Sequence, residues 1–170
     1  MDALEQLRGA IPDAAKDIRL NLQAVLRGGA LSEGQRWGVA AAAAVTAAGA
    51  DVVEDAKAAV SLMAMNNVYY RFRHMVGKPI YGEKPAGLRM NRLMQPATNR
   101  TDFELMALAV SAINGCEMCV RAHEKTVTEG GLTPDHVNDA VRIAATIYAA
   151  AVALEPGAEA PALEVAAPGV

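Results

Sequence analysis

Helical patterning of apolar and polar residues recurs from one end of the chain to the other, punctuated by proline, glycine and capping residues. Pro12 and Asp13 suit a first helical turn, Ser32 offers another helix start, and Gly28 and Gly49 are stops. The first half is therefore predicted to contain four helices: Asp2 to Arg8, Pro12 to about Gly28, Ser32 to about Gly49, and Asp51 to about Arg73.

The pattern fails between Gly77 and Arg100, where three prolines and three glycines predict a long loop or a set of short turns. A loop of this length in a compact domain is usually functional or ordered over a surface. Helical patterning then resumes, with Thr101 and Asp102 as the predicted cap of the apolar segment FELMALAVSAI. The last three helices are predicted over Thr101 to Asn114, Cys116 to Gly130, and Thr133 to about Leu154.

Composition supports helices throughout, since hydrophobic residues make up 52% of the chain and aromatic residues only 4%. Ala and Leu, which carry much of this apolar content, lose little entropy in a helix, whereas strands favour β-branched and aromatic residues. A chain of 170 residues is long enough for one domain with a core. We therefore expect an all-α, single-domain helical bundle over residues 1–154 and a disordered Ala-, Pro- and Glu-rich tail over 155–170.

The two halves of the chain show a weak internal repeat, because Val60–Ser61 lies fifty residues before Val110–Ser111. In this register Asn66 takes the place of Cys116. The repeat would suit two related helical halves, of which only the second, about residues 101–154, carries redox chemistry.

Charge and hydropathy exclude several classes of protein. The net charge of −3 comes without a dense basic block, so a nucleic-acid binder is not expected. The N-terminus is charged and lacks the apolar core of a signal peptide, which predicts a cytoplasmic protein. The longest charge-free run, Trp37 to Ala50, falls short of the roughly 20 residues that a membrane span needs. We expect a buried helix there and no membrane association.

The candidate chemistry lies in the segment GCEMCVRAH, which contains Cys116, Cys119 and His123. On a helix, residues three and four apart share one face, so the two sulfurs can approach within disulfide range with His123 one turn further along. A helix N-terminus and a neighbouring imidazole both lower the pKa of a cysteine thiol and favour the reactive thiolate. In a reducing compartment such a pair is more often catalytic or metal-binding than structural.

Two alternatives remain open for these residues. Two cysteines and one histidine are three zinc ligands, although structural zinc normally takes four and the chain has no second Cys or His pair. The cysteines are otherwise small core residues, as free Cys commonly is. Covalent haem attachment is excluded, because Val120 stands where that motif requires His. The methionines of the segment LMAMN follow helical spacing and are interpreted as core residues.

Glu104 is a further candidate on geometric grounds. If Asn114 and Gly115 form a tight turn between antiparallel helices, Glu104 lies about 15 Å before the turn and His123 about 12 Å after it, at 1.5 Å rise per residue. The two side chains would then lie at nearly the same level. The alternative is that Glu104 is only an acidic residue in a first helical turn, where the helix dipole favours it.

The sequence resembles the alkyl hydroperoxide reductase D (AhpD) family over nearly the whole chain to about Leu154. The resemblance is carried by the segments PDAAKDIRLNL, MNNVYYR, GLRMN and above all FELMALAVSAINGCEMCVRAHE. It implies an all-helical protomer that assembles as a homotrimer and reduces hydroperoxides through a CxxC disulfide. No tightly bound cofactor is implied. The electrons would come from a dihydrolipoyl group on a dihydrolipoamide acyltransferase, kept reduced by dihydrolipoamide dehydrogenase, and a peroxiredoxin, AhpC, would be a further partner.

By position, the resemblance implies that Cys119 attacks peroxide, that Cys116 is the resolving thiol, and that Glu104 with His123 forms a proton relay. One departure is Met118, since the family carries His directly before the second cysteine. The helix dipole by itself would instead favour Cys116, nearer the helix start, as the stronger thiolate.

Three functional hypotheses follow. The first is a lipoyl-dependent peroxidase, and the second is a disulfide reductase that recycles an oxidised peroxiredoxin. The third is a non-catalytic helical scaffold that senses redox state or holds zinc. The related carboxymuconolactone decarboxylases share the architecture without needing thiols, so the intact CxxC argues against that enzyme class.

Overall fold

The computed structural model describes residues 3–44 and 50–154, and every regular element in these two ranges is a helix. The eight α-helices found there are α1 (Ala3–Ala10), α2 (Lys16–Arg27), α3 (Glu33–Ala44), α4 (Ala50–Val76), α5 (Pro79–Glu83), α6 (Arg100–Ile113), α7 (Glu117–Glu129) and α8 (Pro134–Leu154). Single 3-10 turns lie at Asp13–Ala15 and Asn91–Met94. The all-α prediction is confirmed, while the predicted disorder of residues 155–170 concerns residues outside the described ranges.

Helix α6 lies at the centre of the molecule, and every residue from Phe103 to Ser111 is buried. A helix that is apolar on all sides must be covered on all sides. On one side Leu105 and Leu108 pack into the core formed with α2, α3 and α8. On another side Phe103 and Met106 pack against α4. Each large side chain removed from water contributes about 1.5–3 kcal/mol, so burial on both sides fixes α6 firmly.

The helix starts follow ordinary capping chemistry. Ser32 Oγ accepts a hydrogen bond from Gln35 N at 3.2 Å, and Gln35 Oε1 accepts one from Ser32 N at 3.0 Å, which forms a reciprocal cap of α3. The start of α6 differs from the prediction of a cap at Thr101 and Asp102. Asn99 is the cap, and its side chain accepts from Asp102 N at 2.9 Å. Asn is as good an N-cap as Asp, so the sequence did not distinguish them.

The segment between α4 and α6 is more ordered than the predicted loop. It contains the short helix α5, which has Pro79 at its first position. The buried carboxylate of Asp55 on α4 holds the end of the segment, because it accepts hydrogen bonds from the backbone N–H groups of Ala97 and Thr98, each at 2.8 Å. Arg92 contacts the same carboxylate at 3.1 Å. The contacts with Asp55 therefore hold the end of this segment against α4.

Helix α8 is long and apolar enough to cross a membrane by length and composition alone. Core helices of globular proteins pass the same test, and here Ala140, Ile143, Ala144 and Ile147 on one face of α8 are buried in the core shared with α2, α3 and α6. The weak internal repeat does not include the turn at Asn114 and Gly115. The residues fifty positions earlier lie within α4, which is continuous there. The two related halves stay a prediction.

Candidate active site

The turn between α6 and α7 fixes the position of Cys116. Gly115 has φ +65°, a left-handed conformation that glycine adopts without strain. Its N–H donates to Ala112 O at 3.2 Å, and the N–H of Cys116 donates to Ser111 O at 3.1 Å. These two bonds form a Schellman motif, which satisfies the last carbonyls of α6. Cys116 then serves as the N-cap of α7, so one residue both ends one helix and begins the next.

Cys116 and Cys119 are joined in a disulfide, with their Cα atoms 5.3 Å apart. This distance lies within the range that a disulfide requires, as the spacing of the two residues predicts. Burial distinguishes the two residues slightly, because Cys116 is 0% exposed and Cys119 is 7% exposed. Cys119 is therefore the member of the pair with residual access to solvent.

Glu104 and His123 meet across the α6–α7 hairpin, at the level that the helical rise predicts. His123 Nδ1 lies 2.5 Å from Glu104 Oε2, and both side chains are buried. An ionised carboxylate only accepts hydrogen bonds, so a Glu104 carboxylate in that form pairs with the His123 tautomer that carries a proton on Nδ1 and orients the ring. Helix α6 begins at Arg100 and has Asp102 as the acidic residue of its first turn, so Glu104 lies beyond that turn, buried against His123. Its part in a proton relay stays a prediction.

The other ring nitrogen of His123, Nε2, lies 3.2 Å from the Sδ atom of Met63 on α4. Met63 is fully buried, as predicted for the methionines of LMAMN, but it also contacts the candidate site. A thioether is a weak acceptor, so Met63 can accept a hydrogen bond from Nε2 only when that nitrogen is protonated. Both nitrogens of the imidazole are therefore hydrogen-bonded only when the ring is doubly protonated.

A cavity of about 240 Å³ opens beside Cys119 and His123. Helices α4 and α7 and the segment before α6 supply its walls. The lining residues are Asn66, Tyr70, Met90, Leu93, Met118, Cys119, Ala122 and His123. Cys116 does not line the cavity. A small molecule that enters it would therefore contact Cys119 and His123 in surroundings that are largely apolar.

Met118 lies at the rim of this cavity, where its side chain is 45% exposed. It also borders a neighbouring surface depression lined by Arg73, His74 and Lys78. Next to it, Glu117 pairs with His74 at 3.2 Å. The position at which the family resemblance predicts histidine is therefore at the mouth of the site, and in this chain it is apolar.

A buried amide network supports the turn and was not predicted from the sequence. Asn67 Nδ2 donates to Ser111 Oγ at 3.0 Å, and Asn114 Nδ2 donates to Asn67 Oδ1 at 2.9 Å. Arg71 then donates to the backbone oxygen of Asn114 at 2.6 Å. Asn67 of α4 and Ser111 of α6 thus hold Asn114 in the turn before Cys116, and Arg71 adds an exposed contact to the same turn.

The sequence also missed Asn66, Tyr70, Met90 and Leu93 as cavity residues. The segments MNNVYYR and GLRMN contain most of them, yet their spacing shows only helical periodicity and turn composition. Their contribution depends on how α4 and the segment before α6 pack against α7. Such packing is a tertiary feature that no local pattern encodes.

In the disulfide state, the three residues considered as zinc ligands are not free to bind a metal ion. Both sulfurs are bonded to each other, and the two nitrogens of His123 contact Glu104 and Met63. Over residues 3–44 and 50–154, no three His, Cys, Asp or Glu side chains form a group able to hold a metal ion.

Comparison with known proteins places the chain in a family. The profile of the carboxymuconolactone decarboxylase family matches residues 81–160. The alkyl hydroperoxide reductase AhpD of Anaeromyxobacter sp. (strain Fw109-5) is 62% identical over 92% of this chain and 94% of its own length. The proteins of the same name from Methylocella silvestris and Rhodospirillum centenum are 42% and 44% identical, each over 90% of this chain and more than nine-tenths of their own lengths. The chain therefore belongs to the alkyl hydroperoxide reductase AhpD family, within the carboxymuconolactone decarboxylase-like superfamily.

Proposed function

We propose that this protein is a thiol peroxidase, which reduces hydroperoxides to alcohol and water with electrons from a dihydrolipoyl group. One observation carries the proposal: Cys119 faces a cavity beside the buried His123–Glu104 pair, while its disulfide partner Cys116 lies behind it. Such an arrangement contains a nucleophile, a base and a group that orients the base. The names of the AhpD relatives support the same substrate class.

The first step begins from the reduced protein, in which both residues are thiols. His123 accepts the Cys119 thiol proton, and the thiolate attacks the terminal oxygen of the hydroperoxide. The O–O bond breaks, Cys119 becomes a sulfenic acid, and the departing alkoxide takes the proton from His123 to give the alcohol. Glu104 orients the imidazole and stabilises its protonated form during the transfer.

The second step closes the disulfide seen in the structure. The Cys116 thiol attacks the sulfenic sulfur of Cys119, the S–O bond breaks, and the oxygen leaves as water with the proton of that thiol. Because Cys116 is 0% exposed, it is shielded from external peroxide and suits a resolving role. This burial outweighs the preference of the helix dipole for a thiolate at Cys116, since a thiolate that peroxide cannot reach does not react with it.

The third step restores the two thiols. A dihydrolipoyl thiolate attacks the disulfide, releases one cysteine as a thiol and forms a mixed disulfide with the other. The second lipoyl thiol then attacks the lipoyl sulfur of this mixed disulfide, which releases the second cysteine thiol and closes the cyclic lipoyl disulfide. The sum is one hydroperoxide and one dihydrolipoyl group converted to alcohol, water and one lipoyl disulfide. Access from the cavity favours Cys119 as the sulfur attacked. A lipoylated dihydrolipoamide acyltransferase would carry the donor, and dihydrolipoamide dehydrogenase would regenerate it.

A homotrimer is part of the proposal. Val68, Phe72 and Met75 are exposed apolar residues on one stripe of α4, and Ile80 and Tyr81 of α5 extend it. A contiguous apolar surface of this kind marks a contact with another protein. We assign it to neighbouring copies of the chain.

A coupled assay tests the proposed activity directly. Pure protein, cumene hydroperoxide, dihydrolipoamide and dihydrolipoamide dehydrogenase are mixed, and NADH oxidation is followed. We expect peroxide-dependent turnover that is lost in both Cys119→Ser and Cys116→Ser. Turnover only when oxidised AhpC replaces the hydroperoxide would favour the peroxiredoxin-recycling alternative. No turnover with either oxidant would favour the non-catalytic scaffold.

A further inference from the structure

Asn66 on α4 stands out among the cavity residues, because it is polar and only 5% exposed. Its Nδ2 atom donates a hydrogen bond to Met90 Sδ at 2.6 Å. Its Oδ1 atom is buried and has no hydrogen-bond partner among the residues that the structure describes. Buried polar atoms nearly always have a partner, so the unpaired oxygen of this cavity-lining residue is a candidate acceptor for a molecule that enters the cavity.

The orientation of the amide decides what kind of partner this is. The N–H group of Asn66 faces the Met90 sulfur, which can accept a hydrogen bond but cannot donate one. The reverse orientation would place two acceptors against each other. The amide oxygen is therefore the free group, and the partner that suits it carries a donor such as O–H.

We propose that Asn66 Oδ1 accepts a hydrogen bond from the terminal O–H of the hydroperoxide and so holds the terminal oxygen towards Cys119. The proposal rests on the peroxidase function proposed above. The alkyl group would lie against Tyr70, Met90 and Leu93 on the apolar wall. Asn66 is then a substrate-binding residue that nothing in the CxxC motif reveals.

This contact explains which oxygen atom reacts. The hydroperoxide carries its only O–H on the terminal oxygen, and this oxygen must end on the Cys119 sulfur as S–OH. The inner oxygen leaves with the electron pair of the O–O bond and takes a proton from His123. An acceptor for the O–H on the α4 side and a proton donor on the α7 side therefore orient the O–O bond between them. A side chain that positions the substrate in this way lowers the activation barrier of the reaction, although it forms no covalent bond itself.

Two variants test the proposal by pre-steady-state kinetics. Asn66→Leu keeps the side-chain volume and removes the acceptor, and Asn66→Ala serves if the leucine variant does not fold. Fully reduced protein is mixed with cumene hydroperoxide or with methyl methanethiolsulfonate, which consumes the Cys119 thiolate but carries no hydrogen-bond donor. Asn138→Leu, an exposed substitution on α8, is the matched control.

We expect the rate constant with cumene hydroperoxide to fall about tenfold in both Asn66 variants, as loss of one substrate hydrogen bond predicts. The rates with methyl methanethiolsulfonate, and of disulfide reduction by dihydrolipoamide, should stay within about twofold of wild type. An unchanged peroxide rate, an equal fall with both reagents, or a fall only with dihydrolipoamide would overturn the inference. If wild-type reduced protein itself does not react with cumene hydroperoxide, the proposed function fails, which is a separate result.

Discussion

At the scale of single residues, the site depends on a histidine whose two ring nitrogens have different neighbours. Nδ1 faces the Glu104 carboxylate at 2.5 Å, and Nε2 faces the Met63 sulfur at 3.2 Å. A carboxylate on one side fixes the tautomer and leaves the other nitrogen for proton transfer. Each proposed peroxidase turnover needs a thiol deprotonated and a leaving oxygen protonated, and we propose that this pair does both.

Glu104→Gln and His123→Gln should each reduce dihydrolipoamide-dependent peroxide turnover by about 10² to 10⁴, the usual contribution of a positioned acid–base group. The double variant should lose little more than the worse single variant, because residues that act as one unit are not additive. Steady-state kinetics with the coupled assay measures all three.

Glu124→Gln is the matched control, since Glu124 is the exposed neighbour of His123 on α7. Its activity should stay within about twofold of wild type, as expected for a surface substitution. Normal activity of Glu104→Gln across the pH range would show that the buried carboxylate has no part in proton transfer.

At the scale of elements, the α6–α7 hairpin connects the core to the chemistry. The amide network of Asn67 and Asn114 and the left-handed Gly115 together hold Cys116 at the start of α7. A shift in this turn would move Cys116 relative to Cys119 and change both disulfide closure and access to the cavity.

Gly115→Ala should lower the free energy of unfolding by about 1–2 kcal/mol, because an L-residue resists the left-handed conformation. No atom lies within 4 Å of a Cβ at this position, so the cost is conformational and not steric. For a chain of this size, that loss corresponds to a fall in Tm of roughly 2–8 °C, measured by calorimetry or circular dichroism.

Gly34→Ala provides the comparison, because Gly34 lies inside α3 and a Cβ there also meets no atom within 4 Å. This variant should be neutral or stabilised by up to about 1 kcal/mol. Equal stability of the two variants would show that the turn does not depend on glycine at position 115.

Local patterns predicted this hairpin well and its surroundings poorly. The glycine at the end of α6 and the helical rise predicted that Glu104 lies level with His123, and the CxxC spacing predicted the disulfide. All three features are properties of residues close together in the sequence. Helix α5 was missed because it is short and contains Gly82 and Pro79. Asn66 was missed because its role depends on the packing of α4 against α7, which the sequence pattern of α4 does not contain.

At the scale of the whole molecule, the exposed stripe on α4 bears on assembly. Val68, Phe72 and Met75 are 61%, 42% and 75% exposed, although each is large and apolar. They lie at spacings of four and three residues, so they share one face of the helix. The same helix contributes Asn66 and Tyr70 to the cavity, so a contact along the stripe would lie close to the site.

We expect sedimentation equilibrium to give a trimer for the wild-type protein at micromolar concentration. Phe72→Glu should shift the equilibrium towards monomers, because a charge would be buried without a partner in the contact. Leu20→Glu on α2 replaces a leucine that is 63% exposed and lies outside the stripe, and it should leave the trimer intact. A monomeric wild-type protein, or equal dissociation by both variants, would remove this assignment.

The central claim is that Cys119 is the sulfur that attacks peroxide, and a trapping experiment tests it most directly. Reduced Cys116→Ser and Cys119→Ser proteins are each mixed with one equivalent of cumene hydroperoxide and dimedone, which labels sulfenic acids, and are then mapped by mass spectrometry. The account predicts stoichiometric label on Cys119 in the Cys116→Ser protein and almost no peroxide consumption by Cys119→Ser. Rapid consumption by Cys119→Ser, with the label on Cys116, would contradict it.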